Sequence, residues 1–222
     1  MGRAAFFIRL FGCPLHCPFC DSAGTWHPDY IPAKIERFTV EQLLSEAIDS
    51  GCCLVVITGG EPAIHDLTQL TKALCNSGFE VAIETSGSFP LRGSFDHITV
   101  SPKSAKPALK EVLEQTTELK FIIEKPDDIE SWILAVRGLL EMGEGQSISN
   151  FFGAIWLHPE WSQRENPAVL NGITKAVGRY GDPVRAGYQM HKLYRADLLD
   201  NRSAPSVPLG GRTERNEKAA VV

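Results

Sequence analysis

Short apolar runs alternate with longer amphipathic stretches along most of the chain. Residues 4–11 are apolar except for Arg9, which predicts a strand buried on both faces. Thr39-Val40-Glu41-Gln42 has the spacing of a capping box; Leu43, Leu44, Ala47 and Ile48 then fall on one helical face, and Gly51 stops the run. Residues 54–57 form a short, mostly β-branched run ending at Gly59-Gly60, a core strand whose end carries Glu61. The same pattern predicts helices over 66–77, 109–115, 128–142 and 167–180, the last opened by Pro167 after Asn166. It predicts strands over 79–84, 97–100, 119–123, 151–157 and 184–193. From Arg195 the chain turns polar and rich in Pro and Gly, so residues 1–195 read as one domain and 196–222 as an extension with a frayed tail.

Strands that alternate with helices imply a parallel sheet with right-handed crossovers, and such sheets collect their chemistry at the C-terminal ends of the strands. Cys13, Gly59, Thr85, Ser101, His158 and Gln189 each stand in or just after a predicted strand end. Eight βα units do not fit into 222 residues. The expected fold class is therefore α/β: a partial, open (βα)6-type barrel of about six parallel strands with reduced helix cover.

Composition narrows the function classes. With 43% apolar residues the chain is able to bury one sizeable core. A net charge of -5 leaves no basic footprint for nucleic acid. No stretch reaches the ~18 apolar residues of a membrane span, and the first residues are too short in apolar length for a signal peptide, so a cytoplasmic location is expected. Of the 6 cysteines, Cys52, Cys53 and Cys75 lie far from the other three and are expected to pack as small buried apolar residues. Cys13, Cys17 and Cys20 crowd into one loop, which in a reducing compartment points to metal rather than disulfides.

Three thiolates are one too few to close a four-coordinate site. A [4Fe–4S] cube held by three cysteines leaves one iron open to another ligand. Zinc is the rival, with His16, His27 or His65 as a fourth ligand. Spacing alone leaves both readings open.

The C-x3-C-x2-C spacing with Phe19 before the last cysteine, followed downstream by Thr58-Gly59-Gly60-Glu61-Pro62, resembles the radical S-adenosylmethionine (SAM) superfamily. Within it, the segments 7–13 and 20–26 flanking the loop, with Glu84-Thr85-Ser86-Gly87, Ser101-Pro102-Lys103 and Gln189-Met190-His191-Lys192, resemble the 7-carboxy-7-deazaguanine synthase family over about residues 6–194. That resemblance implies a [4Fe–4S] cluster on Cys13, Cys17 and Cys20, with SAM on the open iron. It places Phe19, Asp21, Gly59, Gly60, Glu61, Thr85, Ser101, Lys103 and His158 at SAM. It places Arg9, Thr58, Gln189, His191 and Lys192 at the substrate, 6-carboxy-5,6,7,8-tetrahydropterin, and Ser22 at a magnesium ion. It also implies an electron donor such as flavodoxin and a homodimer.

Independently of the family, glycines at 59 and 60 let a backbone approach a ligand closely, and a guanidinium such as Arg9 grips a carboxylate through two parallel bonds. Two departures stand out. The family pattern has a Gln-Gly-Glu-Gly segment ahead of the first strand, and the sequence begins after its place. Where Gln-Pro is frequent, this chain reads Leu157-His158-Pro159-Glu160, with a titratable imidazole that still offers a donor to SAM. Two alternatives come from other classes: an activase that installs a glycyl radical on a partner protein, and a binding module stapled by zinc.

Overall fold

In the computed structural model, which describes residues 2–143, 146, 148 and 152–194, seven parallel strands form one sheet whose spatial order is their order along the chain. They are β1 (Phe6–Leu10), β2 (Leu54–Gly59), β3 (Glu80–Thr85), β4 (His97–Val100), β5 (Glu118–Ile123), β6 (Ala154–Pro159) and β7 (Val184–Ala186). Between them lie α1 (Val40–Asp49), α2 (Thr68–Asn76), α3 (Lys110–Leu113), α4 (Asp128–Leu139) and α5 (Pro167–Tyr180), and α6 (Met190–Tyr194) follows β7. The β3–β4 connection carries no helix. Every crossover steps in the same direction, so connections of one hand put all the helices on one face and leave the other open. This is the open partial barrel expected from the pattern, with seven strands where about six were counted.

The two faces differ in chemistry. Val55, Ile57, Val81, Ile83, Leu119, Phe121, Ile123, Ile155 and Leu157 point toward the helices and are fully buried. Each contributes roughly 1.5–3 kcal/mol of burial. The alternate positions line the other face with Arg9, Thr58, Glu84, Thr99, Glu118, Lys120, Trp156 and His158. Helix starts follow the sequence closely. Thr39 accepts from Gln42 N at 3.3 Å while the Gln42 side chain accepts from Thr39 N at 2.8 Å, and Asn166 caps α5 by accepting from Ala168 N at 3.0 Å.

Two predicted strands are corrected. β1 is an edge strand rather than one buried on both faces: Ile8 is buried against the helices, while Phe7, on the open face with Arg9, is 56% exposed. The last strand was expected over 184–193, but β7 ends at Ala186 and the chain turns into α6. At Gly187 the backbone passes directly over the His158 ring, and a Cβ there would overlap the imidazole. The expected extension at 196–222 lies outside the described residues. Among the described residues no helix is long and apolar enough to cross a membrane.

The rim of the sheet is set by a close approach. Gly60 N donates to Leu10 O at 3.0 Å and Glu61 N to Gly12 O at 2.9 Å, so the end of β2 runs under the chain leaving β1. A Cβ on Gly59 would overlap the Leu10 backbone, and one on Gly60 would overlap Gly12 O and lie 2.8 Å from Cys13 Cβ. Glu61, 1% exposed, then ties β2 to β3: its carboxylate accepts from Ala63 N at 3.0 Å, Thr85 Oγ1 at 2.5 Å, Ser86 N at 2.8 Å and the Ser86 hydroxyl.

Glu61→Gln keeps the shape but turns one acceptor into an NH2 group facing donors. The expected loss is about 1–3 kcal/mol, read as a lower denaturant midpoint with an unchanged slope; unchanged stability would show that the carboxylate is not the tie. At the opposite rim Arg3 grips Glu80 through Nη1 at 2.9 Å and Nη2 at 2.5 Å, and His97 Nε2 donates to it at 2.6 Å. Arg3 first, then His97, hold its carboxyl down from 4.5 to about 2. A depressed carboxyl stabilises above its ordinary value, and the contribution fades as pH falls from 4.5 toward about 2. Denaturation measured across that window is expected to flatten in Glu80→Gln, and the difference to shrink in high salt because the pair is exposed.

Candidate active site

The segments expected at strand ends all meet at one rim: the cysteine loop after β1, Gly59-Gly60-Glu61 at β2, Thr85 at β3, Ser101-Pro102-Lys103 after β4, His158 in β6 and Gln189 after β7. Leaving β1, the chain turns through Gly12 at φ 104° and again at His16, φ 50°, where a left-handed residue reverses the loop. Cys20 N donates to Cys17 O at 3.1 Å. Ser22 N donates to Cys20 Sγ at 3.4 Å. All three thiols are half-buried, and burial pushes each pKa up. The neutral form is thus favoured until a cation compensates, as suits sulfurs meant for metal.

The donor set fits a cluster. Among the described residues no group of three His, Cys, Asp or Glu side chains is drawn together tightly enough for a single ion. Cysteines that bind three different irons of a cube need no such convergence. The imidazoles considered for zinc are engaged elsewhere. His65 Nε2 donates to Phe11 O at 2.9 Å, His16 stacks on Trp26, and His27 Nδ1 accepts from Asp29 N at 3.3 Å.

Around the loop, charged groups are cross-linked. Arg9 Nη1 donates to Ser22 Oγ at 2.7 Å, and that hydroxyl donates to Asp21 Oδ1 at 3.3 Å. Gln189 Nε2 donates to Asp21 Oδ2 at 2.8 Å, and Lys192 Nζ lies 3.8 Å from the same oxygen. Asp21 thereby joins the first strand's loop to the segment after the last strand, across the open side of the barrel. Lys103 Nζ donates to Ser101 O at 2.8 Å and Ser101 Oγ at 2.6 Å. Burial first, then the like charge of Lys120, pushes its pKa down. Thr58, 9% exposed, stands beside Arg9 in register. Phe19 is partly buried between Cys17 and Cys20, and the His158 ring meets Trp156 edge-on at 6.3 Å. The side chain of His191 lies outside the described residues.

Two expectations change in kind. Gly59 and Gly60 are required by the backbone of Leu10 and Gly12, whatever else approaches them. The Glu61 carboxylate, and the Thr85 hydroxyl that donates to it, are occupied within the protein, which leaves the backbone of that segment to meet a ligand.

The structure also adds residues that the sequence reading did not single out. On the inner face Lys120 Nζ pairs with Glu84 Oε2 at 2.7 Å. The Lys120 charge holds the Glu84 carboxyl low, against burial; burial works to lower the Lys120 pKa, but Glu84 carries it upward. Both are charged near neutral pH. Glu118 accepts from Thr99 Oγ1 at 2.7 Å and from Trp156 Nε1 at 3.0 Å. Their signal was a charge at alternate positions inside otherwise apolar strands.

The Radical SAM superfamily profile matches residues 7–167. A 7-carboxy-7-deazaguanine synthase from Synechocystis is 46% identical over 129 residues, 58% of this chain and 60% of that protein. One from Flavobacterium psychrophilum is 33% identical over 164 residues, 74% of this chain and 71% of that protein. The crystal structure of QueE from Escherichia coli superposes with a TM-score of 0.64 at 33% identity, covering 85% of this chain and 86% of that one. The profile match runs from β1 through the cysteine loop to the start of α5, and the chain belongs to the radical SAM superfamily and, within it, to the family of 7-carboxy-7-deazaguanine synthases.

Proposed function

We propose that this chain converts 6-carboxy-5,6,7,8-tetrahydropterin to 7-carboxy-7-deazaguanine with release of ammonia, a step toward queuosine and related 7-deazapurines. The observation that carries the reading is the position of Arg9. Its guanidinium sits on the inner face of β1, one hydrogen bond from Ser22 and beside the loop of Cys13, Cys17 and Cys20. A substrate carboxylate bound there lies against the cluster loop and above a polar inner face suited to a heterocycle rich in nitrogen and oxygen.

Cys13, Cys17 and Cys20 would hold the [4Fe–4S] cluster. When bound, the cluster and SAM supply the radical that takes hydrogen from carbon 6 of the pterin. The protein's part is to bind, orient and exclude water. The backbone around Gly60 and Glu61, the Lys103–Ser101 pair, Asp21, Phe19, Thr85 and His158 surround the place for SAM. Arg9 takes the substrate carboxylate, with Thr58 beside it and Glu84 and Lys120 offering an acceptor and a donor to the ring. Gln189 and Lys192 close the side through Asp21, and His191 is assigned to the substrate by the family resemblance alone.

Magnesium belongs to the same proposal. The Ser22 hydroxyl that would bind it is held by Arg9, so a substrate carboxylate that draws Arg9 away frees the oxygen for a hard cation completed by water and substrate oxygens. An electron donor such as flavodoxin, a homodimeric assembly and a cytoplasmic location complete the proposal, supported by the family resemblance.

Anaerobic reconstitution is expected to give a brown protein; colourless protein retaining zinc would overturn the reading. With SAM, reductant, magnesium and the carboxypterin, product is expected in excess of deoxyadenosine. Stoichiometric deoxyadenosine and no product would favour the activase. Arg9→Lys is expected to keep iron and SAM binding but weaken the carboxypterin by about 1.5–3 kcal/mol, roughly ten- to a hundredfold. Ser22→Ala is expected to lose magnesium stimulation with an unchanged cluster spectrum, and equal stimulation in both proteins would place the ion elsewhere.

A further inference from the structure

Trp161 follows β6, toward the opposite edge of the sheet from β1, and has no part in the site described above. Its place is built by local chemistry. Glu160 N donates to Ile123 O at 2.8 Å, which fixes the exit from β6 against the end of β5. The Glu160 carboxylate, in a residue only 5% exposed, accepts from Ser162 N at 2.9 Å and from the Ser162 hydroxyl, and so caps the single 3-10 turn Trp161–Gln163. Tyr188, just beyond β7, donates its hydroxyl to Arg164 O, and Arg164 Nη1 returns to Trp161 O at 2.9 Å.

The indole meets α6 through a cation. Lys192 Nζ lies over its ring, 5.1 Å from the centroid, inside the ~6 Å at which the negative face of an indole attracts an ammonium. The Lys192 side chain is 2% exposed, and Asp21 Oδ2 stands 3.8 Å from its nitrogen. An ammonium taken out of water needs its solvation replaced, and a carboxylate at that distance, too long for a hydrogen bond, replaces only part of it. A π face attracts the charge without consuming an N–H donor. The same ring carries the Arg164 guanidinium at 4.8 Å, so one cation from its own turn holds the indole and a second, from α6, rests on it.

We infer that Trp161 is a positioning residue: its indole face holds the Lys192 ammonium at the closed side of the pocket, so that Lys192 meets the carboxypterin already oriented. The inference rests on the reading of Lys192 as a substrate residue. A lysine stem has many rotamers, and a cation fixed before the ligand arrives spares the cost of ordering it on binding. The indole touches Lys192 alike with substrate bound and with the reaction under way. It therefore acts on binding that is uniform along the reaction, which is read in KM rather than in kcat.

The test measures the carboxypterin Kd of the reconstituted protein with SAM, in a series that carries fluorinated tryptophan at position 161 alone. Each added fluorine withdraws electron density from the ring face and leaves its shape nearly unchanged. Kd is expected to rise stepwise from the monofluoro to the trifluoro ring, by about tenfold in all, with the cluster spectrum unchanged. Lys192→Met removes the charge and keeps an unbranched stem; there Kd is expected to be raised already and the fluorine series to be flat. In turnover, Trp161→Leu is expected to raise KM at nearly unchanged kcat, and Trp161→Tyr to recover most of the loss. A flat series in the protein that retains Lys192 overturns the inference and leaves the site reading intact, and so does an equal trend in Lys192→Met. Should Trp161→Leu fold poorly, the fluorinated proteins decide. A wild-type Kd in Lys192→Met overturns the inference together with the role of Lys192, and wild-type protein that binds no carboxypterin overturns the proposed function as well.

Discussion

The active rim depends on how closely the end of β2 passes beneath the chain leaving β1. Gly59 and Gly60 allow their backbone into a space that any side chain would fill, and the two hydrogen bonds onto Leu10 and Gly12 hold the base of the cysteine loop in place. From there Glu61 carries the constraint to β3 through Thr85 and Ser86. The family signature at these positions is thus first a requirement of the fold, since with Thr25 O on Gly12 N and His65 on Phe11 O it fixes the start of the loop that bears the three sulfurs. Any ligand that meets this segment meets a backbone already immobilised, which lowers the entropic cost of binding it.

A sheet whose helices all lie on one side has to manage its other face. Here that face is filled with charge, and the charges answer one another: Glu84 with Lys120, Glu118 with Thr99 and Trp156, Arg9 with Ser22. Ion pairs on a partly enclosed face contribute little net stability, because desolvation offsets attraction. Their value lies in keeping a row of donors and acceptors oriented beneath the rim, ready for a polar heterocycle. Lys103 and Lys120 share the neighbourhood, and their mutual repulsion helps push the Lys103 pKa down.

The open barrel is spanned at its mouth by side chains rather than strands. Asp21, one residue past the last cysteine, accepts from Gln189 and attracts Lys192, so both ends of the sheet converge on a single carboxylate. Trp26 completes the other side of the loop by stacking on His16. Around three cysteines that offer sulfur but little rigidity, the surrounding residues supply the geometry.

Much of this was legible in the residues themselves. The capping box of α1, the Asn166 cap and Pro167 of α5, and the stops after them placed these two helices nearly to the residue, because caps are local chemistry within four or five positions. The three cysteines, the diglycine and the strand ends likewise declared themselves, since spacing along the chain survives folding. What the sequence left undecided concerns neighbours far apart in it. An apolar run reads the same whether it lies at the centre or the edge of a sheet, so only the assembled order showed β1 to be an edge. The run expected to extend to 193 ends at Ala186, and Gly187 then passes over the His158 ring, a contact between segments from different strands. The pairing of Glu84 with Lys120, the occupation of Glu61 and the stacking of Trp26 on His16 depend on which side chains are brought together once the chain has turned. Composition and periodicity determine which face a residue takes, and tertiary structure alone decides what stands opposite it.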